Sequence, residues 1–354
     1  MKIGILTFHR AHNFGAVLQC YALQEFLKTA GFNVEVIDYR EPYTENYYKI
    51  FRLDIFLLTS SLKGKLYYIL SSWKRLKKTI RYRSFGLKYL NTSPKWTGKT
   101  MSDYDFYIIG SDQMWSQDCL GDCFNEIYLG KFRRKSCSKI IGYAISSNIR
   151  SINSLKNNEQ LPLVFERFAA ISFRESSVIN RLKELTGVNY TQCIDPTLLT
   201  NMSMWENIID KRWSKKRFVV LYRLRDANRP DMSVLFKARK IANELGVGMV
   251  EISSNSHSVV DFVSAIANAE YVVTTSFHAT VFSLIFHKQF ASYLLHDGND
   301  GRYEDLLRKV GADECIYEID EYPRPEVLLD WEKVEKGIDY IREQSVRFLK
   351  ENLV

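Results

Sequence analysis

Seven consecutive residues, Thr274-Thr275-Ser276-Phe277-His278-Ala279-Thr280, set one imidazole among small hydroxyl side chains at the junction of two hydrophobic patterns. Before them, Tyr271-Val272-Val273 is aromatic and β-branched and reads as a buried strand. After them, Phe282, Leu284 and Phe286 continue at helical spacing. A strand feeding a helix here puts His278 and the helix-start N–H groups at a strand's carboxyl end, where open α/β sheets bind ligands. Imidazole titrates near neutrality, so His278 suits proton transfer or anion binding. The competing reading is a core histidine that lies near a helix start.

Other polar groups fall where apolar runs stop: His9-Arg10-Ala11-His12-Asn13-Phe14-Gly15, Gly110-Ser111-Asp112-Gln113, Ser146-Ser147, Arg174-Glu175 and Asp195-Pro196. Arg174 ends the segment Ala169-Ala170-Ile171-Ser172-Phe173, and Glu175-Ser176-Ser177 open a helix. A guanidinium there can hold a phosphate or carboxylate bidentately, with helix N–H groups in support; an inter-domain salt bridge is the alternative. Arg302 follows the loop Asp297-Gly298-Asn299-Asp300-Gly301 and offers either a second cation or a surface helix start. Asp112 reads as a base or an Asx-turn residue, and Asp195 as a turn or cap. The first loop has one glycine, Gly15, and so lacks a dinucleotide fingerprint; no Walker A sequence is present. The six cysteines form no metal-ligand pattern, and no metal is expected.

These residues need elements to hold them, and strand–helix alternation supplies them. The pattern predicts a strand over 3–8, a helix over 16–30 ending at Gly31, and a strand over 34–38. Further strands are expected over 107–109, 140–145, 169–173 and 190–194. A second series follows, with strands over 218–222, 247–252, 271–273 and 290–294, helices over 232–245 and 259–269, and a long amphipathic helix over 331–353. Alternation through both halves predicts an α/β protein of two doubly wound domains facing across a cleft. The boundary is expected within 201–216. The N-terminal domain covers 1–205 with a helical insertion over about 45–90, the second 206–325, and the last helix 326–354.

At 354 residues the chain exceeds one comfortable core, and 46% hydrophobic with 25% charged residues is the balance of a globular protein. The start is a short strand rather than a signal peptide, and no run is long enough to span a membrane, so a cytoplasmic protein is expected. The net charge of +8 is unevenly placed. Between Lys49 and Lys88 lie eleven Lys and Arg residues against one acid, Asp54, interleaved with aromatic and aliphatic residues such as Tyr67, Leu70 and Trp73. That mixture suits an anionic membrane surface or an anionic lipid-linked substrate. Without a nucleic-acid motif beside it, nucleic acid is not expected as a partner. An ordinary helix with a solvated basic face accounts for it equally well.

In its motifs the chain resembles the polysaccharide pyruvyl transferase family. The stretches that carry the resemblance are Asn13-Phe14-Gly15-Ala16-Val17-Leu18-Gln19 with Tyr21-Ala22-Leu23-Gln24, Gly110-Ser111-Asp112-Gln113-Met114-Trp115, Gly142-Tyr143-Ala144, Ser172-Phe173-Arg174-Glu175, Ile194-Asp195-Pro196-Thr197 and Ser276-Phe277-His278-Ala279-Thr280. The resemblance implies two Rossmann-like domains arranged as in the GT-B glycosyltransferases. It implies transfer of the pyruvyl group of phosphoenolpyruvate to a sugar of a surface-polysaccharide precursor, forming a cyclic ketal and releasing phosphate, with no further cofactor. Arg174 and His278 are then expected to line the donor site. One branch of the family has an arginine where Ser276 stands, and Arg302 is the expected substitute. Asp112 and His12 are candidate bases for the sugar hydroxyls, and Asn13, Gly15, Gln19 and Ser111 are candidate acceptor contacts on the N-terminal domain. The acceptor is either a free or a lipid-diphosphate-linked sugar, and the protein either cytoplasmic throughout or peripheral at the inner face of the cell membrane. A GT-B nucleotide-sugar glycosyltransferase is the nearest rival; a non-catalytic polyanion- or membrane-binding scaffold is a more distant one.

Overall fold

The computed structural model describes residues 1–157, 159–224, 232–296 and 300–354. The N-terminal domain runs β1 (Lys2–Leu6), α1 (Phe14–Thr29), β2 (Asn33–Val36), α2 (Pro42–Tyr47), α3 (Leu53–Leu58), α4 (Leu62–Tyr89), β3 (Phe106–Gly110), β4 (Lys139–Ile145), α5 (Ile149–Asn157), α6 (Leu161–Phe165), β5 (Ala170–Phe173), α7 (Ser176–Thr186) and β6 (Thr191–Gln192). A short α8 (Met202–Glu206) leads across to β7 (Phe218–Tyr222), α9 (Met232–Glu244), β8 (Gly248–Ile252), α10 (Val259–Ala267), β9 (Tyr271–Thr274), α11 (Phe277–Ile285), β10 (Gln289–Tyr293), α12 (Gly301–Val310), β11 (Ile316–Tyr317) and α13 (Trp331–Asn352).

The first sheet has the order β2-β1-β3-β4-β5-β6 and the second β11-β10-β9-β7-β8. Every paired strand is parallel. Two doubly wound α/β domains are therefore present, in a GT-B-like arrangement. In each, the winding reverses once, between β1 and β3 and between β7 and β9, and such reversals open a crevice at the strands' carboxyl ends. The strands are apolar on both faces, as helix-covered parallel strands must be; β3 and β7 are buried throughout.

The hydrophobic core is continuous between the domains. Phe14, at the start of α1, stacks on Phe262 of α10 with ring centroids 4.7 Å apart. Trp205 of α8 touches Tyr21 of α1 and Phe282 of α11. Being covered from both domains, α1 is apolar on nearly every side. The basic insertion is three helices, and the end of α4 reaches the second domain, where Lys78 Nζ donates to Ser254 Oγ (2.8 Å) and Arg81 Nη1 to the Asn255 carbonyl (2.8 Å).

The last helix crosses back. Its first turns lie on α12, where a Cβ on Gly337 would stand 2.7 Å from Val310 Cα, so only glycine allows the approach. Its later turns lie on the N-terminal domain: Arg342 Nε donates to the Leu198 carbonyl (2.7 Å), and Ser345 Oγ accepts from Ile194 N (2.9 Å). Two features had no signal in the hydrophobic pattern, the two-residue edge strand β11 and the shortening of β6 to two residues. Among the described residues no helix is long and apolar enough to cross a membrane.

Candidate active site

The site is assembled from strand ends of both domains. Asn13 caps α1, its Oδ1 accepting from Gly15 N (2.9 Å) and Ala16 N (3.3 Å), as a helix start requires. Across the cleft, α11 begins at Phe277 after Ser276, which stands in extended conformation at the cap position. The two helix starts meet: a Cβ on Gly15 would lie 1.9 Å from His278 Nδ1. Gly15 is thus the seat of the His278 ring, and the two crevices are joined at that contact.

Arg174, at the end of β5, is buried among N-terminal partners. Its Nη1 donates to Asp195 Oδ2 (2.6 Å) and to the Ser111 carbonyl (3.3 Å), and its Nε to Glu175 Oε1 (3.2 Å). Its guanidinium also lies 4.8 Å from the centre of the Phe277 ring, a cation–π contact between the domains. Asp195 holds more than a turn: its Oδ1 accepts from Thr197 N (3.0 Å) and Thr197 Oγ1 (2.7 Å), while Oδ2 faces Arg174 and stands 3.5 Å from His278 Nε2.

Among the described residues three buried polar atoms of this cluster lack a hydrogen bond, Arg174 Nη2, Ser111 Oγ and His278 Nε2, the last facing Asp195 Oδ2 at 3.5 Å. Buried polar groups are nearly always satisfied, so three orphans within one cluster mark a place where a polar group from outside belongs. Electrostatics agree. Burial alone would raise the Asp195 carboxyl, but His278, Arg174 and the Thr197 hydrogen bond overcome it and hold the acid below the usual carboxylate range. Burial works against the Arg174 charge, and Glu175 and Asp195 more than restore it. Arg302, near the start of α12, is pushed down by burial and by Arg174. An anion placed between the two guanidiniums relieves that repulsion.

A cavity of about 190 Å³ adjoins the cluster, lined among others by Arg174, Asp195, Phe277, Arg302 and Lys309. Gln192, Asp305 and Lys309 wall it with bonds between β6 and α12, Gln192 Nε2 donating to Asp305 Oδ2 (2.6 Å) and Lys309 Nζ to the same oxygen (3.0 Å). From there a cleft follows the strand ends. Arg302 is shared with a second cavity holding Gln113 and Asp118. Those two residues are shared with a third, which holds Asn13, Asp112 and Tyr48. Tyr48 is shared with a fourth, of about 670 Å³, lined by His12, Arg10, Arg40, Tyr82 and Arg83.

The expected site residues are distributed unevenly along this path. Arg174, His278, Ser111 and Gly15 come together, with Arg302 beside them. Asp112 lies further along, its Oδ1 accepting from Gln113 N (2.8 Å). His12 is in the far cavity, between the rings of Tyr48 (4.3 Å) and Tyr82 (5.2 Å). Burial, with Lys78, Arg83 and Arg10, lowers its pKa to about 4. Gln19 lines none of these four cavities: its amide is fully buried, donating to Thr7 Oγ1 and the Ala16 carbonyl (2.8 Å each) and accepting from Ser111 N (3.3 Å). It ties the loop after β3 to α1 and so organises the site from behind. Ser276 is buried at the start of α11, and Asp297, Gly298 and Asn299 lie outside the described residues. Asp195 and Phe277 were not singled out from the sequence as ligand-facing; their position at strand ends was the available signal. Among the described residues no group of three metal-ligating side chains gathers.

The family model of polysaccharide pyruvyl transferases matches residues 13–297. The chain belongs to that family. The matched region holds Gly15, Arg174, Asp195 and His278, whereas Arg302 and α13 lie beyond it. No curated protein matches this pyruvyl transferase family member in sequence. Solved structures similar to it include the UDP-GlcNAc 2-epimerase of Methanocaldococcus jannaschii, at 11% identity and a TM-score of 0.44, covering 96% of this chain and 92% of that one. The UDP-GlcNAc 2-epimerase of Neisseria meningitidis bound to UDP-GlcNAc has 7% identity and a TM-score of 0.49, covering 100% and 99%. A spinosyn rhamnosyltransferase has 11% identity and a TM-score of 0.41, covering 100% and 96%.

Proposed function

We propose that this protein transfers the pyruvyl group of phosphoenolpyruvate to two hydroxyls of a sugar in a surface-polysaccharide precursor. The observation that carries the reading is the trio of buried groups that lack a hydrogen bond among the described residues, Arg174 Nη2, His278 Nε2 and Ser111 Oγ. Phosphoenolpyruvate brings a carboxylate and a phosphate, and a paired guanidinium, a helix start and a hydroxyl suit both. Arg174 clamps one anionic group with a geometry fixed by Asp195 and Glu175, and Arg302 meets the other.

Ketal formation moves two protons and breaks one C–O bond. The methylene carbon takes a proton and becomes methyl, the first sugar hydroxyl bonds to C2 and gives up its proton, and phosphate leaves with the electrons of its C–O bond. The second hydroxyl then bonds to C2 and gives up its proton, so that of the two hydroxyl protons one is balanced by the methyl group and the other by the phosphate. His278, held against Gly15 and beside Asp195, hands over a proton or binds the departing phosphate. Asp112, in the third cavity along the cleft, accepts one from the sugar; His12 is farther off, and as a neutral imidazole it serves the acceptor's far end. The acceptor lies along the N-terminal side of the cleft, past Asn13. We read it as a sugar carried on a lipid diphosphate, met at the inner face of the cell membrane by a cytoplasmic protein whose 45–90 segment lies against that face. Domain closure excludes water and limits hydrolysis of the donor.

The test is calorimetric titration with phosphoenolpyruvate beside a panel of nucleoside diphosphates. Saturable phosphoenolpyruvate binding that disappears in Arg174→Ala is the expected result. Nucleotide binding without phosphoenolpyruvate binding replaces the reading with a glycosyltransferase.

A further inference from the structure

The surface of α3 and α4 inverts the usual arrangement, in which a surface helix turns its polar side to water. Leu62, Leu66, Ile69, Leu70 and Trp73 are 87, 60, 41, 55 and 60% exposed. Their spacing makes one stripe about 16 Å long at a rise of 1.5 Å per residue. Over the same first half the inward side carries Tyr68 and Ser72, and only further on, past Thr79, do Tyr82 and Phe85 join the core. Beside the stripe, α3 exposes Leu57 (66%) and Leu58 (85%). Lys63, Lys74 and Lys77 flank it, exposed and in no ion pair with a described residue.

A second copy of the chain fits this surface poorly. Two-fold pairing sets Lys63, Lys74 and Lys77 of one copy against the same three of the other, while Asp54, the one acid nearby in sequence, is tied to its own Arg52. An anionic bilayer meets both features, taking the apolar stripe into its headgroup boundary and the lysines to its surface charge. Trp73 and the exposed Tyr67 are side chains that settle at that depth.

We infer that α3 and the first half of α4 dock this protein on an anionic bilayer, with Leu58, Leu62, Leu66, Leu70 and Trp73 as the inserted set. Docking in this orientation brings the far cavity of the cleft to the lipid, since its wall includes Tyr82, Arg83 and Leu87 of the same helix. The use of that cavity for the phosphate of a lipid-borne acceptor, held by Lys49 and Arg83, rests on the transferase reading; the docking itself does not.

The experiment is flotation of the full chain with vesicles of phosphatidylcholine, with and without phosphatidylglycerol. Expected is a preference of at least about tenfold for the anionic vesicles, lost in Leu66→Glu/Leu70→Glu and in Lys74→Glu/Lys77→Glu. Brominated acyl chains should quench tryptophan emission in the parent and leave Trp73→Phe unquenched. Phosphoenolpyruvate titration of all these variants should match the parent. Equal binding to neutral vesicles overturns the inference, as does binding that survives Leu66→Glu/Leu70→Glu. A dimer in solution that the same pair dissolves also overturns it and makes the face an interface between copies. Vesicle binding by a chain that does not bind phosphoenolpyruvate upholds the docking and removes the transferase reading alone.

Discussion

Replacing Gly15 by alanine tests the site without touching a charged group. The added Cβ lies 1.9 Å from His278 Nδ1 and 2.3 Å from Cγ and Cε1, where ordinary contact begins at 3.4 Å. The ring must therefore withdraw by about 1.5 Å, well beyond the ~0.5 Å within which a catalytic constellation has to be held. Two stability terms oppose each other. Alanine gains about 1 kcal/mol over glycine in a helix, while overpacking costs about 1–3 kcal/mol. The net loss should thus stay below about 2 kcal/mol, and the protein should fold. Binding should suffer more, because a charge-assisted hydrogen bond lost from His278 is worth about 1.5–3 kcal/mol. Phosphoenolpyruvate affinity in Gly15→Ala should fall roughly 10- to 100-fold by calorimetry. A second arm needs no ligand: in a His278→Ala background the clash is gone, so Gly15→Ala should raise thermal stability by about 1 kcal/mol. Donor affinity within twofold of the parent, together with equal stability effects in the two backgrounds, refutes the seat assigned to Gly15.

Asp195→Asn removes one of the two carboxylates that balance buried Arg174 and should cost about 3 kcal/mol in chemical denaturation. Because the Asp195 pKa is lowered in the fold, its contribution is present above the unfolded value of about 3.9 and fades as pH falls below it, so the variant should also lose that acid limb. His12, depressed to about 4, stabilises fully above an unfolded pKa of about 6.5 and progressively less as pH falls from there to about 4. Stability should drop across that window by at most about 3 kcal/mol, less for its partial exposure, and His12→Gln should flatten the slope. Gly86, inside α4 with nothing within 4 Å of where an alanine methyl would stand, should accept alanine with a gain of about 0.5–1 kcal/mol in thermal unfolding.

Strands such as Phe218–Tyr222 and helices such as α9 were legible because each advertises itself locally, by β-branched runs or by helical spacing. The polar residues at strand ends were legible for the same reason, and Arg174 and His278 stood out among them. Which of them meet was not legible. The Arg174–Asp195 pair depends on β5 and β6 being neighbours, and the Gly15–His278 contact depends on two crevices facing each other; neither is written in a local pattern. Gln19 looked like a cleft residue because it sits in a family stretch, yet its amide is consumed inside the fold. In the insertion, composition revealed basic and apolar residues together, but only packing decided that Tyr68 turns in and Trp73 out.

The two places where the chain passes between domains lie side by side, since Arg342 of the returning helix bonds to Leu198, just before the outgoing segment. Two adjacent tethers make an axle at the β6 edge of the first sheet. The small cavity beside Arg174 rests against that axle, for Leu198 and Tyr340 help to line it. The cavity under α4 lies at the β2 edge, roughly 24 Å away across five gaps of about 4.8 Å. Any rotation about the axle is a lever: a swing of about 4 Å at the β2 edge moves the donor end by only about 1 Å. Opening at that far edge must first break the bonds of Lys78 to Ser254 and of Arg81 to Asn255, whereas the pocket beside Arg174, close to the axle, keeps its geometry through the same motion.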